Sequence, residues 1–198
     1  MLASIPHVNV YSLSCSEEAD ALVTAAIENF AKDRKAGKVP NTSIFFLGRE
    51  NFPKTYVAGA TYNLDKAQIL KDTTAGKTKS VVIATTGSLV PQALEAATAL
   101  EAKGMGAIVV NAANLNHVDV ATFKTALAKT EGRMVTVEDH QLIGGFGQIL
   151  CHALLQAKVE FKVKSLGVHG EFGQSAYTAL DLYKKHKIDA GAIIEASL

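Results

Sequence analysis

A chain of 198 residues, 48% hydrophobic and 20% charged, can bury the core of one ordinary domain and part of a second. A formal net charge of +1 provides no basic field for nucleic acid, which is therefore not an expected partner. No apolar run reaches the roughly 18 residues that crossing a bilayer needs, and no basic segment followed by an apolar one marks a secretory signal, so no membrane partner and a cytoplasmic setting are expected. Cys15 and Cys151 have no ligand-like spacing and read as free, reduced thiols.

Taken in order, Val8 to Leu13 alternates like a strand. Ser14 with Glu17 three residues on has the spacing of a capping box, and the helix that follows would bury Ala19, Leu22, Val23, Ala26, Ile27 and Phe30. Gly37 and Pro40 end it. Ser43 to Leu47 is apolar almost throughout and predicts a strand buried on both faces. One strand, helix, strand unit makes a poor core by itself, so these residues read as the tail of a larger domain.

Residues 54–66 have no period and look like a linker. Gln68 to Asp72 reads as a short edge strand and Ser80 to Thr85 as a buried one. Ser88 is a candidate N-cap for a helix over 89–103, with Pro91 in its first turn. Ala107 to Asn111 is the next strand, followed by a helix over 119–129. Met134 to Val137 is a strand expected to end at the charged Glu138-Asp139-His140, with Gly144-Gly145-Phe146-Gly147 opening a helix. Phe161 to Leu166 alternates, Ser175 is a candidate cap for a helix carrying Ala179 and Tyr183, and a last helix is expected over 190–196. Such alternation implies a mostly parallel sheet with helices on both faces.

Chemistry is sparse on spacing alone. Gly76-Lys77-Thr78 lacks the P-loop's first glycine, since Lys71 stands there, and it precedes a strand rather than following one. The glycines at 144–147 lie where a phosphate cradle would, and equally suit a tight turn with close helix-to-sheet approach. Glu138, Asp139 and His140 alternate in direction along an extended segment, which argues against a single acid/base pair. His169 lies in a glycine-rich loop, and the other histidines have no ligand spacing to one another. Arg49, in the turn Gly48-Arg49-Glu50-Asn51-Phe52-Pro53 directly after a strand, could offer its guanidinium fork to a phosphate or carboxylate, or pair with a surface acid.

Together these pieces resemble a known family. Val135-Thr136-Val137-Glu138-Asp139-His140 with the Gly-Gly-x-Gly that follows, Ala84 to Ser88 with Ala93-Leu94-Glu95-Ala96-Ala97, and Phe172-Gly173-Gln174-Ser175 with Leu182-Tyr183 and Ile188-Asp189 resemble the C-terminal domain of transketolase over roughly residues 66–196. The oxo-acid dehydrogenase beta subunit and deoxyxylulose phosphate synthase share the architecture and stand as alternatives, as does a non-catalytic assembly module on the same fold.

The resemblance implies a three-layer α/β/α fold with a mostly parallel five-stranded sheet, one edge strand being open to antiparallel pairing. It divides the chain into the tail of a truncated pyrimidine-binding domain (1–55), a linker (56–66) and a C-terminal domain (67–198). In transketolases the arginine of a Ser-Arg-x-Asn type motif contacts the substrate phosphate. Arg49 matches that position, with Gly48 replacing the small polar residue. The Gly-Asp-Gly…Asn motif that binds diphosphate and magnesium does not occur in the sequence. The resemblance therefore implies a C-terminal portion of a transketolase. It would hold no cofactor itself, would be inactive alone, and would pair with the remaining domains or subunit in a homodimer. There, thiamine diphosphate and magnesium would serve transfer of a two-carbon ketol unit between sugar phosphates.

Overall fold

A computed structural model describes residues 2–198. The chain opens with β1 (Val8–Leu13), α1 (Ser16–Lys35) and β2 (Thr42–Leu47), and β1 and β2 form a two-stranded parallel sheet. No helix or strand interrupts residues 54–66. A second sheet then contains β3 (Gln68–Asp72), β4 (Ser80–Thr85), β5 (Gly106–Asn111), β6 (Arg133–Gln141) and β7 (Lys162–Val168) in the order β3-β5-β4-β6-β7. Only β3 runs antiparallel to its neighbour. The expected mostly parallel five-stranded sheet with an antiparallel edge is present.

Helices cover both faces of this sheet. On one side α2 (Val90–Ala102), α5 (Ala179–Lys185) and α6 (Ala190–Ser197) pack Ala93, Ala97, Leu100, Tyr183 and Ile193 onto Ile83, Val109 and Val135. On the other, α3 (Val120–Ala128) and α4 (Phe146–Gln156) pack Phe123, Leu127, Leu150 and Leu154 onto Val82, Ile108 and Met134. With both faces covered, every residue of β4 is buried, as its unbroken apolar run required.

Several local expectations give way. Glu18, one position beyond the expected Glu17, binds Ser14: its carboxylate accepts the Ser14 amide at 2.7 Å and the Ser14 hydroxyl at 2.8 Å. The N-cap of α1 is Cys15, whose side chain makes no capping bond to the helix. Leu22 of α1 is buried, but Ile27 is 65% and Phe30 48% exposed. β2 is not buried on both faces, since Phe46 and Leu47 are 50% and 67% exposed. The exposures in α1 and β2 share one cause: a two-stranded sheet with one helix offers no second layer to cover these side chains.

β6 does not stop at Val137. It continues to Gln141, with a register shift against β7 between Val137 and Gln141. Ser88 lies in a short turn, Gly87–Leu89, and α2 begins at Val90 instead. Thr178, not Ser175, caps α5 through a capping box with Asp181.

The small sheet is bound to the large domain along the free edge of β1. The Ser12 amide donates to the Ala113 carbonyl at 2.9 Å and the Leu115 amide to the Val10 carbonyl at 2.8 Å. Asn116 imitates a further strand residue, its Oδ1 accepting from the Val10 amide at 2.9 Å and its Nδ2 donating to the Val8 carbonyl at 2.7 Å. Behind this seam the fully buried Tyr11 stacks on Phe45 with ring centroids 4.9 Å apart. Among the described residues, the outer edge of β2 has no strand partner.

Candidate functional site at the switch point of the sheet

β4 leads into α2 on one face of the sheet, and its neighbour β6 leads into α4 on the other. Where adjacent parallel strands send their connections to opposite faces, a crevice opens beyond their carboxyl ends. A cavity of about 510 Å³ occupies this crevice, between Thr86, Ser88, Glu138, Asp139 and His140 on one side and Val10, Phe46 and Leu47 of the small sheet on the other. A second cavity of about 320 Å³ adjoins it, also bordered by Asp139 and His140, with Glu50, Glu171 and Tyr183.

Glu138 is 2% exposed. Its Oε2 accepts the Phe146 amide at 2.6 Å and its Oε1 the Gly147 amide at 2.9 Å. These are free donors of the first turn of α4, which has no side-chain cap at Gly145. Burial is the largest influence on this carboxyl and, with the charge of Asp139, pushes it up to about 7, while the two amides pull the other way.

The glycines follow from this contact. A Cβ on Gly145 would stand 2.3 Å from Glu138 Oε2 and 2.4 Å from the Gln141 carbonyl oxygen, and one on Gly147 would stand 2.6 Å from Thr136 Oγ1. The loop is shaped around a carboxylate of its own chain. Its amides are committed, so it does not fit a diphosphate. Among the described residues no three His, Cys, Asp or Glu side chains are grouped to hold a metal.

Asp139 points the other way and is exposed. It accepts from Ser88 Oγ, which explains what Ser88 does instead of capping a helix. Near it, Tyr183 Oη donates to Glu50 Oε1 at 3.2 Å. Burial pushes this phenol up to about 12, opposed by Ser88 and reinforced by Glu50 and Asp139, so it remains a donor across neutral pH. Arg49 is exposed beside Glu50 on the turn after β2 and, among the described residues, no acid forms an ion pair with it. His169 is exposed in the loop after β7, whose Gly170 amide donates to Gln141 Oε1 at 2.8 Å.

The fold thus brings Glu138, Asp139 and His140 to one crevice, with Arg49 outside it and His169 on a separate loop. Glu50 and Tyr183 carried no sequence signal as a pair, being 133 positions apart. A second buried carboxylate lies at the seam: Glu18 Oε1 accepts from Asn111 Nδ2 at 2.8 Å, joining α1 to the end of β5. Burial raises its pKa, against the hydrogen bonds from Ser14 and Asn111. Within the crevice the Ser88 hydroxyl donates to the Asp139 carboxylate, while Glu138 is held by the first amides of α4.

Residues 71–193 match the family described as "Transketolase, C-terminal domain". This chain belongs to that family. A "Putative transketolase C-terminal section" of Methanocaldococcus jannaschii is 31% identical over 134 residues, covering 68% of this chain and 39% of the relative. The transketolase C-terminal domain here is also similar to a 1-deoxy-D-xylulose-5-phosphate synthase of Heliobacterium modesticaldum, 39% identical over 94 residues, covering 48% of this chain and 14% of the relative. A solved structure described as "Split gene transketolase, inactive beta4 tetramer" superposes with a TM-score of 0.78 at 26% identity, covering 99% of this chain and 58% of the other. The chain therefore spans less than two thirds of each of these proteins. Among the described residues, no helix is long and apolar enough to cross a membrane.

Proposed function

We propose that this chain is the C-terminal portion of a thiamine diphosphate-dependent transketolase, which moves a two-carbon ketol unit between sugar phosphates. Residues 1–55 are the tail of its pyrimidine-binding domain, 56–66 a linker and 67–198 the C-terminal domain. The observation that carries this reading is a transketolase C-terminal domain joined to a two-stranded sheet with one open edge. The uncovered Ile27, Phe30, Phe46 and Leu47 support it, because a β1-α1-β2 unit with those residues in solvent is a fragment of a larger layer.

Arg49 binds the substrate phosphate. It is exposed at the carboxyl end of a parallel strand and, among the described residues, is joined to no acid by an ion pair, which suits bidentate contact with a phosphate. Thiamine diphosphate supplies the carbanion chemistry in such enzymes. The residues described here do not fit it, so the cofactor and magnesium belong to the portion that this chain lacks. This chain contributes assembly, in a homodimer with that portion, in the cytoplasm, where Cys15 and Cys151 remain free thiols.

The test is to combine the chain with one carrying the remaining domains and to assay a ketose phosphate donor with an aldose phosphate acceptor. Activity only on combination is expected. A second reading, deoxyxylulose phosphate synthase, is favoured by the 39% identity to the H. modesticaldum protein over 94 residues. Pyruvate as the sole accepted donor would select it. Assembly without turnover of either donor would leave a non-catalytic module.

A further inference from the structure

We propose that Tyr183 is a positioning residue: reaching from the C-terminal domain, its hydroxyl holds Glu50 and thereby the turn that presents Arg49 to a substrate phosphate. This rests on the phosphate role proposed for Arg49.

The turn leaves β2 at Leu47, whose strand pairing fixes its near end. Its far end is fixed where the Ser16 amide donates to the Pro53 carbonyl at 3.2 Å and the Glu17 amide to the Lys54 carbonyl at 3.0 Å. Between these anchors, the bond from Tyr183 Oη to Glu50 Oε1 at 3.2 Å ties the turn to the rest of the fold. An arginine on an untethered turn would surrender backbone freedom whenever it bound its phosphate, and affinity would fall accordingly.

Gly48 belongs to the same device. A Cβ there would meet Glu50 Oε2 at 2.4 Å and the Phe52 ring at 2.6 Å, because Glu50 folds back across the turn towards Tyr183. Glycine leaves that path open, which accounts for its replacing a small polar residue beside the arginine. The tether's other end is rigid. Tyr183 is 9% exposed within the core, on a helix closed by the Thr178–Asp181 capping box, and its carbonyl accepts the Ile188 amide at 2.9 Å. Asp139, the other carboxylate near this hydroxyl, is engaged by Ser88.

The test has two arms. In the full chain, amide exchange over residues 48–52 should rise about fivefold in Tyr183→Phe and Glu50→Ala, with β4 unchanged, and return to the parent rate in Glu50→Gln, whose carbonyl still accepts. Unchanged exchange in Tyr183→Phe overturns the proposal, as does a rise that spreads to β4. In the assembled complex, Tyr183→Phe should raise KM for a phosphorylated donor about fivefold, leaving kcat and the unphosphorylated donor unchanged. Equal effects on both donors overturn the proposal. Arg49→Ala separates the two claims: equal loss on both donors rejects the phosphate role itself, whereas selective loss there without an effect of Tyr183→Phe rejects the tether alone.

Discussion

Glu138 Oε2 accepts the Phe146 amide at 2.6 Å, and this contact converts a glycine loop in the position of an anion site into a helix cap closed by its own strand. Both partners lie at the switch point of the sheet, so the crevice that would hold a ligand elsewhere is braced from beneath.

Burial of Glu138 makes stability pH-dependent. Glu138 is raised to about 7 in the folded chain from an ordinary value of 4.5, so the folded state binds its proton more tightly than the unfolded one. Its contribution is present below the unfolded value and is lost as pH rises through the folded one. Between pH 5 and 8 the parent chain should lose roughly 2 kcal/mol relative to Glu138→Gln. Urea unfolding of both proteins across that range checks this, and parallel pH profiles would show that Glu138 is not the titrating group.

The loop glycines should divide sharply. Gly144 has φ +75° with nothing within 4 Å of a Cβ, so Gly144→Ala should cost only the conformational term, about 1 kcal/mol. Gly145→Ala drives a methyl into Glu138 and the Gln141 carbonyl and should cost at least about 2 kcal/mol. Comparable thermal shifts for the two would mean that the carboxylate does not fill that space.

Asn111 should control how the small sheet is held. Its Nδ2 serves both Glu18 Oε1 at 2.8 Å and Ser14 Oγ at 3.1 Å, so Asn111→Ala leaves a buried carboxylate short of a donor. A loss of about 2 kcal/mol is expected, with faster proteolytic cleavage within residues 54–66. An unchanged cleavage rate would show that the β1 edge alone holds the unit.

The open face should matter for assembly and not for folding. Ile27→Lys with Phe30→Lys changes two exposed residues, so the chain's stability should stay within about 0.5 kcal/mol. Binding to the chain carrying the remaining domains should weaken by at least about tenfold, measured by sedimentation. Undiminished binding would place that interface elsewhere.

The α/β class, the order of elements and the absence of helix and strand over 54–66 were legible because buried parallel strands must be unbroken apolar runs and their helices must be one-sided. Ser80 to Thr85 and the face formed by Leu150 and Leu154 show both signals directly. Caps were read less well: Ser14 paired with Glu18 rather than Glu17, and Thr178 displaced Ser175, because several small polar residues within reach of a helix start compete on nearly equal terms. The extension of β6 through Glu138, Asp139 and His140 was missed because three polar residues resemble a turn unless a buried donor pair awaits the first of them.

The sequence by itself determined that this chain builds one covered, mostly parallel sheet with a strand-helix-strand unit ahead of it, since hydrophobic period and turn residues act locally. Only the tertiary structure decided what the polar residues do. Glu138 faces inward to α4, Asp139 faces Ser88, and Glu50 meets Tyr183 across 133 positions. Those partners are set by strand order and by where the chain returns, and no local pattern encodes either.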